Sequence, residues 1–462
     1  MTSPRPDSLD GDESVADLLR RTRIAAGLTQ TQMAGLIGAA QSVISKYEQG
    51  VREPRASVLL QWLQVAGLTT HMQSGQPTAV PWSTEVVAAR LRARVLSHLR
   101  AQGFKVKDGR LIAPVADKDR LRRLHREAVT AQIERARGGL ERFEHKFLPR
   151  LAFGDEIDVH RIRPRLILVD QPKSLDGLTW RWCSLHWSIP VSSGYGRRLR
   201  FLVVDEGHDN KVMGLIGLAD PVYALACRDN AIGWNAASRR ARLASVMDAF
   251  VLGAVPPYSS LCGGKLMALL ATSAEVREIF AKKYGHRRTV IADRDPNAQL
   301  ALVTTSSALG RSSVYNRLKR DDGAHVMYPI GYTRGTGDFH FSGAIYEELA
   351  MYASLCTTEG DTHRNAKWGN GFRNRREVIQ RALRALELDP SQLRIHGVQR
   401  QVFLAPLASN SLEWLRGERV RLRWNTRSAD EHAAWWRKRW ALPRSESVPE
   451  WQKFDPFSWA LY

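Results

Sequence analysis

The stretch from Leu28 to Gly50 constrains this chain more than any other, because its caps, turns and apolar spacing leave one local solution. Ser14-Val-Ala-Asp17 opens a helix with a stripe at Val15, Leu18, Leu19 and Ile24, and Gly27 suits the left-handed stop. Thr29-Gln-Thr-Gln32 repeats the capping pattern and starts a short helix carrying Met33, Leu36 and Ile37. Gly38 makes a tight turn, a second short helix carries Val43, Ile44 and Tyr47, and Gly50 follows it. A fourth helix starts at Ser57 and runs through Val58, Leu59, Trp62, Leu63 and Ala66.

Residues 14–68 resemble the Cro/repressor (XRE) helix-turn-helix family. The resemblance implies that the second helix of the motif lies in the major groove of double-stranded DNA. Carried over position by position, Ala40, Gln41, Ser42, Ser45 and Lys46 face the DNA. Gln suits a bidentate contact with adenine, and Ser or Lys suits base edges or phosphates. Gln30, at a helix N-terminus, is placed to meet a phosphate and to brace Gln41. Arg52 and Arg55 follow the motif and are expected on backbone phosphates. The family resemblance also implies a homodimer. Ala39-Ala40 departs from relatives that cap this helix with Ser or Thr.

The 462 residues suggest about three domains. The net charge of +21 favours a polyanionic partner, most simply nucleic acid, although an Arg-preferring genome also raises it. The sequence lacks a long apolar run, so no membrane span is expected. The polar start and the four scattered cysteines (Cys183, Cys227, Cys262 and Cys356) fit a cytoplasmic location. The expected division is a tail at 1–13, the helix-turn-helix domain at 14–68 and a linker at 69–82. A mostly helical region at 83–164, an α/β (α+β) core with a mixed sheet at 165–345, and a helical Arg/Trp-rich region at 346–462 complete it.

Within these regions a helix is expected at 83–102 and a hairpin about Asp108-Gly109. A charged helix over 117–148 is expected to break at Gly138-Gly139. Strands are expected at Arg165–Val169, Trp180–Trp187, Leu199–Val204, Val212–Leu218, Phe250–Val255, Leu300–Thr304, His325–Tyr332 and Asp338–Ser342. A helix over 264–284 and a short one at Ser312–Lys319 are interspersed.

Val255-Pro-Pro-Tyr-Ser-Ser-Leu-Cys-Gly-Gly-Lys-Leu266 joins a strand to a helix. The prolines end sheet pairing, the glycines allow close backbone approach, and amides at a helix N-terminus attract anions. The spacing is not that of a Walker A loop. A packing turn with no ligand explains the same residues. In element order, the region 199–337 resembles the GNAT acyltransferase fold: a hairpin, a splayed strand, a Gly-rich turn, a helix, a strand, a short helix with a Tyr, and a Gly-bearing strand. That resemblance implies acyl-CoA or another phosphate-bearing cofactor held by Ser260, Gly263, Gly264 and Lys265, with Arg311 and Asn316 from the later loop. It also implies that Tyr315 protonates a leaving thiolate.

Ser192–Arg198 is a Gly- and Arg-bearing loop that either connects strands or grips phosphate through Arg197 and Arg198. Thr304–Arg317 is a hydroxyl-rich loop at a strand end, where α/β sheets place ligands. Ser193–Leu202, Gly253–Tyr258, Gly263–Leu266, Phe280–Gly285 and Thr304–Leu318 are similar to the DruA family of Druantia anti-phage systems, over about residues 91–417. That similarity implies a role in bacterial defence, with other defence proteins as partners, and supplies no reaction. The helix-turn-helix ahead of it suggests DNA targeting or autoregulation.

The histidines form no metal set. Asp205, Glu206 and Lys211 imitate a nuclease triad, but a hairpin turn explains them. Seven of the 14 tryptophans, from Trp414 to Trp459, alternate with arginines in the tail, as a nucleic-acid surface or a docking segment. Three readings of function stand: a DNA-directed transferase, a non-catalytic DNA-binding regulator or sensor, and a nuclease.

Overall fold

The computed structural model describes residues 15–52, 54, 56–66, 84–107, 109–114, 117–192, 196–288, 293–356 and 372–462. Ser14, Arg55, the tail at 1–13 and the linker at 69–82 lie outside the described residues. The chain forms two compact units, residues 1–101 with 341–391, and residues 102–340 with 392–462. The stretch 346–462, read from sequence as one region, is therefore shared between them.

In the first unit, α1 (Val15–Ala25), α2 (Gln30–Ile37), α3 (Gln41–Glu48) and α4 (Ala56–Val65) enclose Leu19, Met33, Ile44, Tyr47 and Trp62. Both halves of the Thr29–Gln32 capping box form, and Gly38 ends α2 at φ 68°. Trp62 Nε1 donates to Leu19 O at 3.2 Å, tying α4 to α1 in the core. Ile24 and Leu36, expected in the apolar stripes, are exposed instead. The same unit holds the helices Thr84–Ala101, Ala344–Leu355 and Phe372–Ala385; Arg92 Nε donates to Leu386 O at 2.7 Å.

The second unit begins with the hairpin of β1 (Lys105–Lys107) and β2 (Arg110–Ile112), with Gly109 at φ 72°. The helix Lys118–Leu140 includes both Gly138 and Gly139 and ends one residue beyond them, where the sequence predicted a break, and a 3-10 turn, Glu141–Phe143, follows. Glycine in a helix costs about 1 kcal/mol. The buried stripe Leu121, Leu124, Ala128, Ala136 and Leu140 outweighs that.

The main sheet is built from β3 (Pro164–Leu168), β4 (Arg198–Asp205), β5 (Lys211–Ala219), β6 (Val246–Ala254), β7 (Leu302–Ser306), β8 (Tyr328–Tyr332) and β9 (Gln401–Pro406). Its order is β3-β4-β5-β6-β7-β9-β8. Among the described residues, only β6 and β7 pair in parallel, Val246–Ala249 against Leu302–Thr305. Beyond Ala249, β6 continues beside β5 to Ala254 while its pairing with β7 has ended. Alternation along β4 sends Phe201 and Val203 into one core and Leu202 and Val204 into the other.

Five expectations fail here. Trp180–Trp187 is not a strand: Leu175–Ser184 is a helix, capped by Ser174 Oγ accepting from Gly177 N at 3.1 Å. Alternating tryptophans imitated a strand, whereas Thr179, Trp180, Trp182 and Cys183 are all buried by the helix. The helix expected over 264–284 is two, Gly263–Leu270 and Ala274–Tyr284, because Ser273 caps the second. Asp338–Ser342 forms no strand, and Ser312–Lys319 holds only a 3-10 turn, Tyr315–Arg317. The helical C-terminal region conceals β9, an apolar strand inserted between β7 and β8.

Candidate nucleic-acid and phosphate sites

A chain of hydrogen bonds runs from the interior of the first unit to its surface. Arg23 Nε donates to Glu48 Oε1 at 2.5 Å, and Gln30 Nε2 donates to Glu48 Oε2 at 2.9 Å. Gln41 Nε2 then donates to Gln30 Oε1 at 2.7 Å. A carboxylate only accepts, so Glu48 forces the Gln30 amide nitrogen inward and its oxygen outward. Gln41 is thereby held with its own carbonyl and one N–H unused by this chain of bonds. Burial opposes the charge on Glu48, but the bonds from Arg23 and Gln30 prevail and hold its pKa below the ordinary carboxylate value.

Ala40, Gln41, Ser42 and Lys46 are exposed along α3, with Arg52 beyond it. Ser45 is half-buried, and its Oγ accepts from Gln49 Nε2 at 3.1 Å. Ala40 caps α3 without a side-chain bond.

In the second unit, Gly263 and Gly264 divide their roles. A Cβ on Gly263 would stand 2.6 Å from Tyr258 O and 2.7 Å from Ala254 Cβ, so Gly263 is a packing glycine. A Cβ on Gly264 would meet nothing within 4 Å. Cys262, at φ 61°, turns the chain into the helix Gly263–Leu270.

Gly264 and Lys265 open on a cleft of about 1000 Å³. Arg317, Lys319, Arg320, Arg439 and Arg444 also line it, with Trp435 and Trp440, against the single carboxylate of Asp321. Lys265 Nζ donates to Val314 O at 3.4 Å and stands 5.2 Å from the centre of the Trp440 ring. Burial lowers the Lys265 pKa, and Arg317 and Arg439 add repulsion. Among the described residues, Lys265, Arg317, Arg439 and Arg444 have no acidic partner. Cations crowded together without counter-charges are stabilised by an incoming anion.

The remaining candidates fall elsewhere. Ser260 turns its carbonyl to Arg444 Nε at 3.3 Å. Asn316 Nδ2 donates to Ser312 O at 2.7 Å and to Gln401 Oε1 at 2.9 Å, bracing the turn. Arg311 is exposed and does not line the cleft. Tyr315 packs edge-on against Phe403 at 5.3 Å, its hydroxyl bonded with Thr305, and burial pushes its phenol up to about 12.

Arg197 pairs with Asp220 at 2.8 Å, donates to Ala244 O and lies over Phe280, all within the fold. Arg198 is exposed, and its backbone N–H donates to Tyr284 Oη at 2.9 Å. Of the three loops read from sequence, the structure brings together those at 259–265 and 313–321, without 196–198.

The tail supplies the walls that motif reading missed. Trp436 is fully buried, and its Nε1 donates to Cys262 O at 3.1 Å. That anchor sets Trp435, Arg439, Trp440 and Arg444 into the cleft. Their signal was the Trp–Arg alternation, but nothing local said which core loop they face.

Asp205 is fully buried and accepts from Tyr258 Oη at 3.0 Å, Arg163 N at 2.8 Å and Gly207 N at 3.0 Å. Lys211 Nζ donates to Pro149 O and Leu151 O. These residues hold the hairpin turn, and no metal-binding group of three or more His, Cys, Asp or Glu occurs among the described residues. No described helix is long and apolar enough to cross a membrane.

A repressor-like helical module and a large mixed α/β core with a cationic cleft define the class: a helix-turn-helix protein with a large second unit. Residues 116–417 match the family described as Druantia protein DruA, and residues 14–73 match a helix-turn-helix domain family. The Druantia protein DruA of Escherichia coli (strain UMEA 4076-1) is 40% identical over 374 residues, covering 80% of this chain and 91% of that protein. The chain belongs to the DruA family. No solved structure matches it.

Proposed function

We propose that this chain is the DNA-directed component of a bacterial anti-phage defence system. Its helix-turn-helix targets double-stranded DNA through Gln41, Ser42, Ser45 and Lys46, and its core takes a phosphate-bearing ligand in the cleft at Gly264–Lys265. Kinship with a Druantia protein supports the defence role and implies other proteins of that system as partners. The observation that carries the core's part is the cleft itself, six cationic side chains lining about 1000 Å³ with one carboxylate among them. The test measures phage plating on cells carrying the defence system with this chain or its variants. Loss of protection is expected for Gln41→Ala with Lys46→Ala and, separately, for Arg439→Glu with Arg444→Glu. Full protection by the second pair overturns the role given to the cleft.

A second reading keeps the same cleft and makes its ligand an acyl-CoA, as in a GNAT-like transferase. The parallel pair β6–β7, which stops at Ala249 while β6 runs on, favours it, together with the open helix N-terminus at Gly264. Acetyl-CoA binding abolished by Gly264→Asp is the expected result. Absence of acetyl-CoA binding in the unmodified chain removes this reading and leaves the first intact.

A further inference from the structure

The segment from Gly417 to Trp424 follows the helix Ser411–Arg416 and reads Gly-Glu-Arg-Val-Arg-Leu-Arg-Trp. Arg419, Arg421 and Arg423 are all exposed. Among the described residues, none of these three guanidinium groups has an ion pair, a hydrogen bond or an aromatic partner. The one carboxylate of the loop, Glu418, is taken by Arg416, which donates to it twice at 2.7 Å. The bond from Arg416 leads in holding the Glu418 pKa below its ordinary value, and Arg419 adds a weaker pull.

The backbone of the loop is fastened to the core behind it. Trp414, itself buried, donates from Nε1 to Val420 O at 3.3 Å. Asn410 donates from Nδ2 to Arg421 O at 2.9 Å, and its Oδ1 accepts from Arg423 N at 2.8 Å. Ser409 N donates to Arg423 O at 2.9 Å. The inward peptide groups are thus engaged while the charged ends are left to solvent. A backbone held before association avoids part of the ordering cost that a free loop meets on binding.

We infer that this loop is a further DNA contact, in which Arg419, Arg421 and Arg423 meet phosphates of a duplex without reading its sequence. The planar fork of arginine matches phosphate oxygens, and phosphates are the groups a duplex offers whatever its bases. Single-strand binding leans on aromatic faces, and the one aromatic of the loop, Trp424, already carries the Arg277 guanidinium at 4.8 Å from its ring centre. An anionic membrane would attract the arginines, but Val420, 91% exposed, is a small apolar area to bury in it. The inference depends neither on the reading of α3 nor on that of the cleft, which these three arginines do not line.

The test measures binding of the full chain to a short duplex of arbitrary sequence over a range of salt concentrations. Changing Arg419, Arg421 and Arg423 together to Gln should weaken binding about tenfold or more, and should reduce the slope of log affinity against log salt by about 2.7, at ~0.9 for each phosphate lost. Changing the same three to Lys keeps the charge and should keep most of that slope. An unchanged slope in the Gln variant overturns the inference. An equal fall in the Lys variant overturns it as well, because the effect then lies in the shape of the loop and not in its charge. A loss confined to a single-stranded oligonucleotide, or to vesicles containing phosphatidylserine, with duplex binding intact, gives the loop to that partner and likewise overturns it.

Discussion

The recognition face of the first unit and the cleft of the second solve opposite problems. On α3, a few polar groups are oriented by a hydrogen-bond chain that starts at the buried Arg23–Glu48 pair and ends at Gln41. In the cleft, cations gather from three separated stretches, around Lys265, Arg317–Arg320 and Arg439–Arg444, with almost no counter-charge. The first arrangement fixes donor and acceptor directions and suits discrimination between partners. The second concentrates charge and suits affinity for any anion of the right size. One face is oriented and local; the other is charged and assembled.

That contrast breaks most severely if the first unit's core is not what holds α3. Trp62→Ala is expected to destabilise that unit by about 3–5 kcal/mol, the usual range for a deleted buried aromatic. Hydrogen exchange of the α1–α4 amides should accelerate accordingly, and unchanged exchange would show that α4 is dispensable.

Acid should separate the two units next. His396 and His432 in the second unit have pKa values pushed down to about 4 by burial, from an ordinary 6.5. Glu48 in the first is held below its ordinary 4.5. In each case the unfolded chain binds more protons, so stability present at neutral pH is lost on acidification. The second unit should weaken between about pH 6.5 and pH 4, and the first only below about pH 4.5. Thermal unfolding across this range, followed by exchange in each unit, checks the order. Glu48→Gln should flatten the first unit's response.

Arg439→Glu with Arg444→Glu should reduce tripolyphosphate binding by about 100-fold, as expected for two lost charge-assisted contacts. Binding of the cognate duplex through α3 should change by far less, while Gln41→Ala should do the reverse. If both variants weaken both ligands equally, the two sites are not separate in function.

The smallest effects divide the two glycines. Gly263→Ala should cost about 1–3 kcal/mol, as overpacking does, because its Cβ meets Tyr258 O and Ala254. Gly264→Ala has open space and should be neutral or stabilising by about 0.5–1 kcal/mol. Denaturant melts of both variants decide whether Gly264 is kept for stability or for access.

The helix-turn-helix was legible because its rules act within a few residues. The Thr29–Gln32 box, the left-handed Gly38 and the brace from Gln30 to Gln41 all form as read. Strands β4 and β5 were legible as well, since burial on both sides leaves continuous apolar runs. Trp180–Trp187 was misread because a two-residue alternation of tryptophans also fits the inward face of a helix that Ser174 starts. The strand β9 was missed because its place between β7 and β8 is fixed by partners distant in sequence.

By itself, then, the sequence determined the elements whose cause is local: caps, turns, apolar period, and a charge of +21 that favours a polyanion. Only the tertiary structure decided which charges are available. Arg197 is neutralised by Asp220, whereas Arg439 and Arg444 are carried to Lys265 by the buried anchor of Trp436. Formal charge is a property of the residue, but its field depends on what folding places beside it.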